Sequence, residues 1–170
     1  MKRAYLSLGS NIEPSYHVHG AVAALHARYG DLSISPVYQN PPVGFEGDDF
    51  LNLVVGIDTD ETAEALLTSC RDIEAQLGRR RSDQRFSART MDIDVLTLGD
   101  CVRSEAPALP RDEILKYAFV LKPLADIAPD ERHPVDGRPY ARIWEELAAS
   151  ADAAQSLQSV SMDFSADLNG

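Results

Sequence analysis

The 170-residue sequence contains few cysteines, few histidines and no long apolar run, and each shortage removes a class of protein. The two cysteines, Cys70 and Cys101, form none of the spacings typical of metal-binding or redox motifs, so we expect buried thiols in a reducing compartment. The four histidines form no cluster, and we assign them no chemistry. No apolar run approaches the roughly 20 residues that a membrane span needs, and the opening MKRAYLSLGSN lacks the apolar core of a signal peptide. We therefore expect a soluble, cytoplasmic protein with no membrane partner.

Positive charge is also scarce, because 27 acidic residues outnumber 16 basic ones and give a net charge of −11. A nucleic-acid-binding protein should carry a basic face, so this balance argues against nucleic acid as a partner. The arginines are nevertheless concentrated: the segment 79–89, RRRSDQRFSAR, holds five of them against one aspartate, a local net charge of +4. Two aspartates, Asp92 and Asp94, follow immediately. This juxtaposition is the most informative feature of the sequence.

The apolar pattern predicts an α+β fold. Alternating and helical spacings predict strands at 3–9, 32–39, 50–58 and 92–99, and amphipathic helices at 14–29 and 60–77. Pro36 implies an edge position or a bulge in the second strand. The stretch 40–48, rich in proline and glycine, must be a loop. The order β-α-β-β-α-β is the ferredoxin-like arrangement, with helices on one face of a mainly antiparallel sheet.

The rest of the chain predicts C-terminal additions to this core. We expect helical segments around 119–128 and 140–149. Residues 150–170 are rich in alanine and serine with little hydrophobic bulk, which predicts a loosely attached tail. Because no internal repeat and no long linker divides the chain, we expect one domain over residues 1–150 and a tail over 151–170.

Asp92 and Asp94 open the fourth predicted strand in the sequence FSARTMDIDVL. Residues i and i+2 of a strand share one face, about 6.5 to 7 Å apart, so both carboxylates project together. Two such carboxylates suit Mg²⁺, which keeps several waters and also binds phosphate oxygens. The preceding arginines suit the same phosphates, because a guanidinium matches phosphate oxygens with paired donors. Together these residues indicate phosphoryl-type transfer.

A structural explanation stays open on residue types alone. An Asp-x-Asp pair at a strand start is often a turn or a cap, and the arginines would then pair with the aspartates on a solvated rim. In the same way, Phe50 and Phe119 suit a hydrophobic core, and Glu74 suits a solvated helix flank.

The order of several motifs separates these interpretations. The segments YLSLGSN, NPPVGFEGDDFLN, IEAQLGRRR, RFSARTMDIDVL and YAFVLKPLADIAP together resemble the 6-hydroxymethyl-7,8-dihydropterin pyrophosphokinase family of folate biosynthesis, over roughly residues 4 to 138. The resemblance implies a ferredoxin-like α/β fold. It also implies transfer of pyrophosphate from ATP to the hydroxymethyl group of the pterin, with release of AMP. The implied partners are these two small molecules, and the implied cofactor is a pair of Mg²⁺ ions in a monomer or weak homodimer.

The resemblance also implies roles for individual residues. As metal ligands it implies Asp92 and Asp94. As catalytic residues it implies these two aspartates with Arg79 and Arg89. As ATP-binding residues it implies Glu74, Arg79, Arg81, Arg89 and Arg111. As pterin-binding residues it implies Asn40, Pro41, Val43, Phe50, Asn52 and Phe119, with the two phenylalanines sandwiching the flat ring.

Three departures from the family pattern affect the phosphate-binding side. Phe86, Ser87 and Ala88 stand where the family has a tryptophan and a glycine-proline pair. Arg111 stands in place of a histidine, and Tyr117 in place of an arginine. We hypothesise that Arg111 replaces the positive charge of the histidine and that Lys116 reaches into the place of the absent arginine.

Two further functions are weighed against pyrophosphokinase activity. A paralogue that binds pterin or nucleotide with little or no catalysis agrees with the altered phosphate side. An RNA-binding module that uses the arginine segment is opposed by the net charge of −11 and by strands without an aromatic platform.

Overall fold

An antiparallel sheet flanked by helices on both faces forms the body of the protein, for which a computed structural model describes residues 1–42, 46–78, 90–150 and 157–169. Its strands are β1 (Lys2–Ser10), β2 (Ser33–Ile34), β3 (Val37–Asn40), β4 (Phe50–Thr59), β5 (Asp92–Leu98) and β6 (Gln158–Val160). Its helices are α1 (Pro14–Tyr29), α2 (Ala63–Gln76), a short 3-10 helix (Asp112–Leu115), α3 (Ala118–Ile127) and α4 (Tyr140–Ala148).

The strand order across the sheet is β5-β1-β4-β3-β6, with β2 also paired to β4. All of these pairings are antiparallel. The predicted ferredoxin-like β-α-β-β-α-β order is therefore confirmed. The predicted second strand, 32–39, is divided at Pro36, where a proline cannot donate to the ladder. Ser35 holds the bend, because its backbone N–H donates to the Val54 carbonyl (2.9 Å) and its hydroxyl accepts from the Val54 N–H (2.8 Å).

The two faces of the sheet carry separate hydrophobic clusters. On one face, residues such as Leu6, Leu53 and Ile93 pack under α1 and α2. On the other face, Tyr5 and Val54 pack under α3 and α4. The predicted placement of helices on one face therefore applies to the core helices α1 and α2. The two later helices, α3 and α4, cover part of the opposite face. The central strands allow this because they are buried on both sides, which removes any solvent-facing stripe.

The ends of the helices follow local chemistry. α1 begins at Pro14, whose missing N–H costs nothing in a first turn, and it stops before Gly30, which has φ 79°. α2 begins at Ala63 rather than at residue 60, because the side chain of Thr62 caps the helix by accepting from the Ala65 N–H (3.2 Å).

The C-terminal residues 157–169 differ from the loosely attached tail that the sequence predicts. β6 pairs with the outer edge of β3, and Phe164 is buried in the cluster beneath α1 and α2. The imidazole of His19 on α1 lies 2.6 Å from the Asp167 carboxylate. The open edge of β3 supplies backbone partners for a short polar strand, which hydrophobic pattern alone does not reveal.

Within the described ranges, none of the helices is both long enough and apolar enough to cross a bilayer.

Candidate functional site

A row of directly paired residues, three of them polar and one a glycine, crosses four strands on the face that α3 and α4 partly cover; we call it the polar row. Asp92 on β5 pairs with Gly9 on β1, Gly9 pairs with Asn52 on β4, and Asn52 pairs with Tyr38 on β3. Directly paired residues point to the same side of an antiparallel sheet. Since neighbouring strands lie about 4.8 Å apart, Asp92 and Asn52 are separated by about 10 Å. This distance lets one side of the row bind one ligand and the other side a second.

Asp92 and Asp94 share this face, as their spacing predicts. Asp94 pairs with Ser7, two residues before Gly9 on β1. Burial and the charge of Asp92 together raise the pKa of Asp94 to about 7, and the carboxylates of Glu74 and Glu113 act in the same direction, whereas Arg111 opposes them. The pair thus concentrates negative charge at a partly buried position, where 29% of the Asp94 side chain is exposed. Such a cluster favours a bound cation.

Arg111 supplies a cation beside this pair. One terminal nitrogen, Nη2, lies 3.7 Å from Asp94 Oδ2, and Nε donates to Glu113 Oε2 at 2.9 Å. The Arg111 backbone N–H donates to the Leu96 carbonyl (2.9 Å), which fixes the residue against β5. We refer to Asp92, Asp94 and Arg111 as the acidic half of the site.

Glu74 lies beneath the acidic half. It is 1% exposed on α2, and its Oε2 accepts from the backbone N–H of Ile93 at 2.7 Å. Ile93 stands between the two aspartates, so Glu74 fixes the backbone that carries both of them. The Glu74 carboxylate is buried in this arrangement and bonded to the backbone of β5. Its predicted contact with ATP stays a prediction.

Asn40, Asn52 and Gly9 form the amide half of the site. The Asn52 side-chain amide donates to Asn40 Oδ1 at 2.5 Å, and the Asn40 amide donates to the Pro41 carbonyl at 3.1 Å. Both asparagines are almost fully buried, at 5% and 3% exposure. A Cβ placed on Gly9 would lie 2.6 Å from Asn52 Oδ1, so only glycine leaves room for the amide here. Two buried amides held in one orientation can recognise the polar edge of a heterocycle.

Aromatic side chains flank the amide half. Phe50, the first residue of β4, pairs with Asn40, and its Cδ1 lies 3.8 Å from the position that a Gly9 Cβ would occupy. Phe119 lies in the first turn of α3 and is partly buried. Its ring stacks on that of Tyr117, with centroids 5.1 Å apart and planes 15° apart. Tyr117 stands where the family pattern has an arginine, so this chain has at that position an aromatic ring that supports Phe119.

Several predicted site residues lie outside the described residues. These are Val43 in the loop after β3 and the arginines of the basic segment, Arg79, Arg81 and Arg89, as well as the substituted positions Phe86, Ser87 and Ala88. Lys116 is described and exposed, directly after the 3-10 helix.

Two residues outside the predicted set, Ser10 and Asn11, help to hold the site together. Ser10 Oγ donates to the Thr90 carbonyl (2.5 Å) and thereby anchors the chain just before β5. The Asn11 amide donates to the Asp48 carbonyl (3.2 Å), linking β1 to the loop before β4. A cleft of about 650 Å³ opens beside these loops and is lined in part by Asn11 and Asp48. The signal was present in the motif LGSN, because buried polar residues at a strand end require partners.

The donor set of the acidic half fits a hard divalent cation. Within the described ranges, no group of three or more histidine, cysteine, aspartate or glutamate side chains is arranged to hold a metal ion. Two carboxylates on one face are, however, a usual protein contribution to Mg²⁺, which takes its other ligands from water and phosphate. Burial and the charge of Asp92 raise the pKa of Asp94, and a bound cation would favour the ionised form of this carboxylate.

A ferredoxin-like sheet with an acidic pair, a guanidinium and a buried amide pair on one face is the arrangement expected of an α+β enzyme of the phosphotransfer class. A sequence model of the family described as "7,8-dihydro-6-hydroxymethylpterin-pyrophosphokinase (HPPK)" matches residues 5–129. The chain belongs to this family. The family and the enzyme class that the motifs predict are thereby confirmed.

Individual relatives agree with this assignment. The chain is 47% identical over 135 residues to the 2-amino-4-hydroxy-6-hydroxymethyldihydropteridine pyrophosphokinase of Methylorubrum extorquens, covering 76% of this chain and 85% of that protein. It is 37% identical over 158 residues to the enzyme of the same name from Pseudomonas aeruginosa, covering 88% and 92%. Wild-type Plasmodium falciparum HPPK-DHPS, solved with pteroate, shares the fold with a TM-score of 0.75 at 12% identity, over 95% of this chain and 46% of that one.

Proposed function

We propose that this chain transfers the pyrophosphoryl group of ATP to the hydroxymethyl group of 6-hydroxymethyl-7,8-dihydropterin and releases AMP. The observation that carries the proposal is the polar row across the sheet, which sets the acidic half about 10 Å from the amide half on one face. A phosphate chain beside the carboxylates and a pterin beside the amides would then meet between them.

The acidic half would bind ATP. Asp92 and Asp94 would hold the two Mg²⁺ ions, which when bound neutralise phosphate charge and orient the phosphate chain. Arg111 presents its Nη2 edge to the same space, where a guanidinium donates to phosphate oxygens. Arg79, Arg81 and Arg89 are proposed, from the family motif, to contact the phosphates from the other side.

The amide half would bind the pterin. Asn52, held by Asn40, presents a fixed amide to the polar edge of the ring. Phe50 and Phe119 would stack on its two faces. Residues Pro41 and Val43 are proposed to complete the polar edge through their backbone groups.

The transfer balances without a further reactant. The hydroxymethyl oxygen attacks the β-phosphorus of ATP, forming one P–O bond, while the bond from that phosphorus to the α–β bridging oxygen breaks. AMP leaves with the bridging oxygen, and the hydroxyl proton is released. In such a reaction the protein contributes chiefly position and charge stabilisation.

The experiment is an AMP assay on the purified protein with Mg²⁺, ATP and the hydroxymethyl pterin. We expect AMP and no ADP, with AMP formation dependent on the pterin. A 6-methyl pterin, which lacks the hydroxyl nucleophile, is the matched control and should yield no AMP. Pterin binding by calorimetry without AMP under saturating substrates would instead identify a binding protein with little catalysis. A cytoplasmic location and a monomeric or weakly dimeric state stay predictions of the sequence.

A further inference from the structure

Arg111 lies between the carboxylates of Asp94 and Glu113 and is held unequally by the two. Its Nε forms a hydrogen bond of 2.9 Å with Glu113, whereas its Nη2 lies 3.7 Å from Asp94, beyond ordinary hydrogen-bond length. The guanidinium is thus held firmly at one edge and loosely at the other.

The local backbone keeps this arrangement in place. The N–H of Arg111 is bonded to the Leu96 carbonyl of β5, two residues beyond Asp94. Glu113 lies in the 3-10 helix that follows directly, and its side chain is 26% exposed. Arg111 itself is 21% exposed. Because a guanidinium offers five donors on a rigid fork, it can exchange its partner at Nη2 while the Nε bond to Glu113 remains.

The weakly held Nη2 edge of Arg111 lies among the acidic side chains around Asp94. Asp92 shares the face of Asp94 on β5, and Glu113 contacts the same Arg111 guanidinium as Asp94 does, so acidic side chains surround Asp94. Within the described ranges, Arg111 is the one cationic side chain that forms an ion pair with Asp94. It therefore occupies the electrostatic role that a bound metal ion would take over.

We propose that Arg111, anchored by Glu113, is an internal counter-ion of the carboxylate pair that disfavours metal binding until nucleotide arrives. In the nucleotide-free protein, its Nη2 edge partly neutralises Asp94 and weakens the site for a divalent cation alone. When a metal–ATP complex enters, the same edge turns from Asp94 to a phosphate oxygen, and Glu113 keeps the guanidinium in reach. Glu113 is then a positioning residue. This inference rests on the proposed function, because it assigns the arrival of ATP as the event that moves Arg111.

The test measures two affinities that should change in opposite directions. Mn²⁺ alone and Mn²⁺ with a non-hydrolysable ATP analogue are titrated into the full chain by calorimetry and electron paramagnetic resonance. Arg111→Met removes the charge and keeps most of the aliphatic stem. We expect it to bind Mn²⁺ alone about 10-fold more tightly than the wild type, and the metal–nucleotide complex about 10-fold more weakly.

Three further variants separate this role from general effects. Arg142→Met removes the same charge from an exposed position on α4 and should leave both affinities unchanged. Arg111→Lys keeps the charge without the fork, so it should bind Mn²⁺ alone as the wild type does and bind the complex less well. Arg111→Gln is a second neutral variant if Arg111→Met does not fold.

Glu113→Gln tests the anchor. It should weaken binding of the metal–nucleotide complex, and its effect should largely disappear in the Arg111→Met background, because the two residues act as one unit. Additive losses would show that Glu113 does not position Arg111.

The outcomes are separable from failure of the proposed function. Equal or weaker Mn²⁺ binding by both neutral variants, including no binding by any protein, would overturn the counter-ion proposal. Absence of AMP from a wild-type protein whose neutral variants gain Mn²⁺ affinity would instead contradict the proposed function and leave the counter-ion in place.

Discussion

The acidic half and the amide half lie on the same face of one sheet, yet they differ in burial and in charge. Asn40 and Asn52 are buried, bonded to each other and closed against Gly9. Asp92 and Asp94 are partly exposed, and burial together with the charge of Asp92 raises the pKa of Asp94. The amide half is therefore preorganised and neutral, whereas the acidic half keeps an excess of negative charge that a cation can neutralise. The comparison indicates that ligand specificity lies in the first and charge stabilisation in the second.

The largest effect on activity should come from removing a carboxylate of the acidic half. We expect Asp94→Ala to lower the rate of AMP formation by on the order of 10²–10⁴-fold, because it removes a metal ligand. The same change should raise the thermal midpoint of the metal-free protein by a few degrees, since it removes a buried charge among like charges. Asp100→Ala, at an exposed turn directly after β5, is the control for both measurements. Activity close to that of the wild type would show that this carboxylate holds no essential ion.

Substitutions in the amide half should change the affinity for the pterin and leave the binding of ATP unchanged. We expect Asn52→Ala to raise the KM for the pterin by about 10- to 100-fold, because it removes a fixed amide and leaves the Asn40 oxygen without its donor. The KM for ATP should stay near its wild-type value. Steady-state kinetics with each substrate varied in turn gives both constants, with the exposed Asn169→Ala as a control. A loss shared equally between the two substrates would contradict the division into halves.

The substitution Gly9→Ala tests the amide half by adding a methyl group without removing any polar group. In Gly9→Ala the new methyl group would meet Asn52 Oδ1 at 2.6 Å and push the amide out of position. We expect the KM for the pterin to rise by about 10-fold in a protein that remains folded by circular dichroism. In the Asn52→Ala background the added methyl group has no amide to displace, so it should have little further effect. If the two changes multiply instead, Gly9 acts by another route.

Tyr117 provides a smaller test beside the amide half. Its ring supports Phe119, so Tyr117→Ala should raise the KM for the pterin by about 2- to 5-fold, as loss of one aromatic pair suggests. Tyr117→Phe keeps the stack and should match the wild type. Equal effects of both substitutions would assign the contribution to the hydroxyl group rather than to stacking.

The pH dependence of stability should also separate the two halves. The pKa of Asp94 in the metal-free protein, about 7, exceeds the roughly 3.9 of an aspartate in an unfolded chain. The folded state therefore binds this proton more tightly, and the Asp94 contribution makes stability fall as pH rises from about 4 to 7 and then level off. Thermal midpoints in EDTA for wild type and Asp94→Asn should show a difference that grows over this range. A difference independent of pH would contradict the pKa shift, and Asn52→Ala should show no such trend relative to the wild type.

The local elements were predictable where their signals lie within a few residues. Helix α1 spans the predicted residues 14–29, because Pro14 and Gly30 mark its two ends. The start of α2 moved to Ala63, since the capping hydroxyl of Thr62 decides it and the acidic residues before it do not. Strand β6 escaped prediction because its stability depends on the distant edge of β3.

The candidate site was likewise predictable where the signal is local in sequence and not where it depends on contacts between distant segments. The shared face of Asp92 and Asp94 follows from strand periodicity, and the structure agrees with it. The contact of Arg111 with Glu113 and the close approach of Gly9 to Asn52 could not be predicted. Both depend on how separate segments pack, and single-sequence patterns contain no information on such distances.

The most direct test of the central claim is a crystal structure with Mn²⁺ and a non-hydrolysable ATP analogue, with anomalous scattering used to locate the metal. The claim is that the carboxylates of Asp92 and Asp94 tether the phosphate chain through divalent ions. We expect anomalous peaks within about 2.0–2.3 Å of carboxylate oxygens of both residues, each also contacting a phosphate oxygen. A well-ordered nucleotide without a metal peak beside either aspartate would contradict the account.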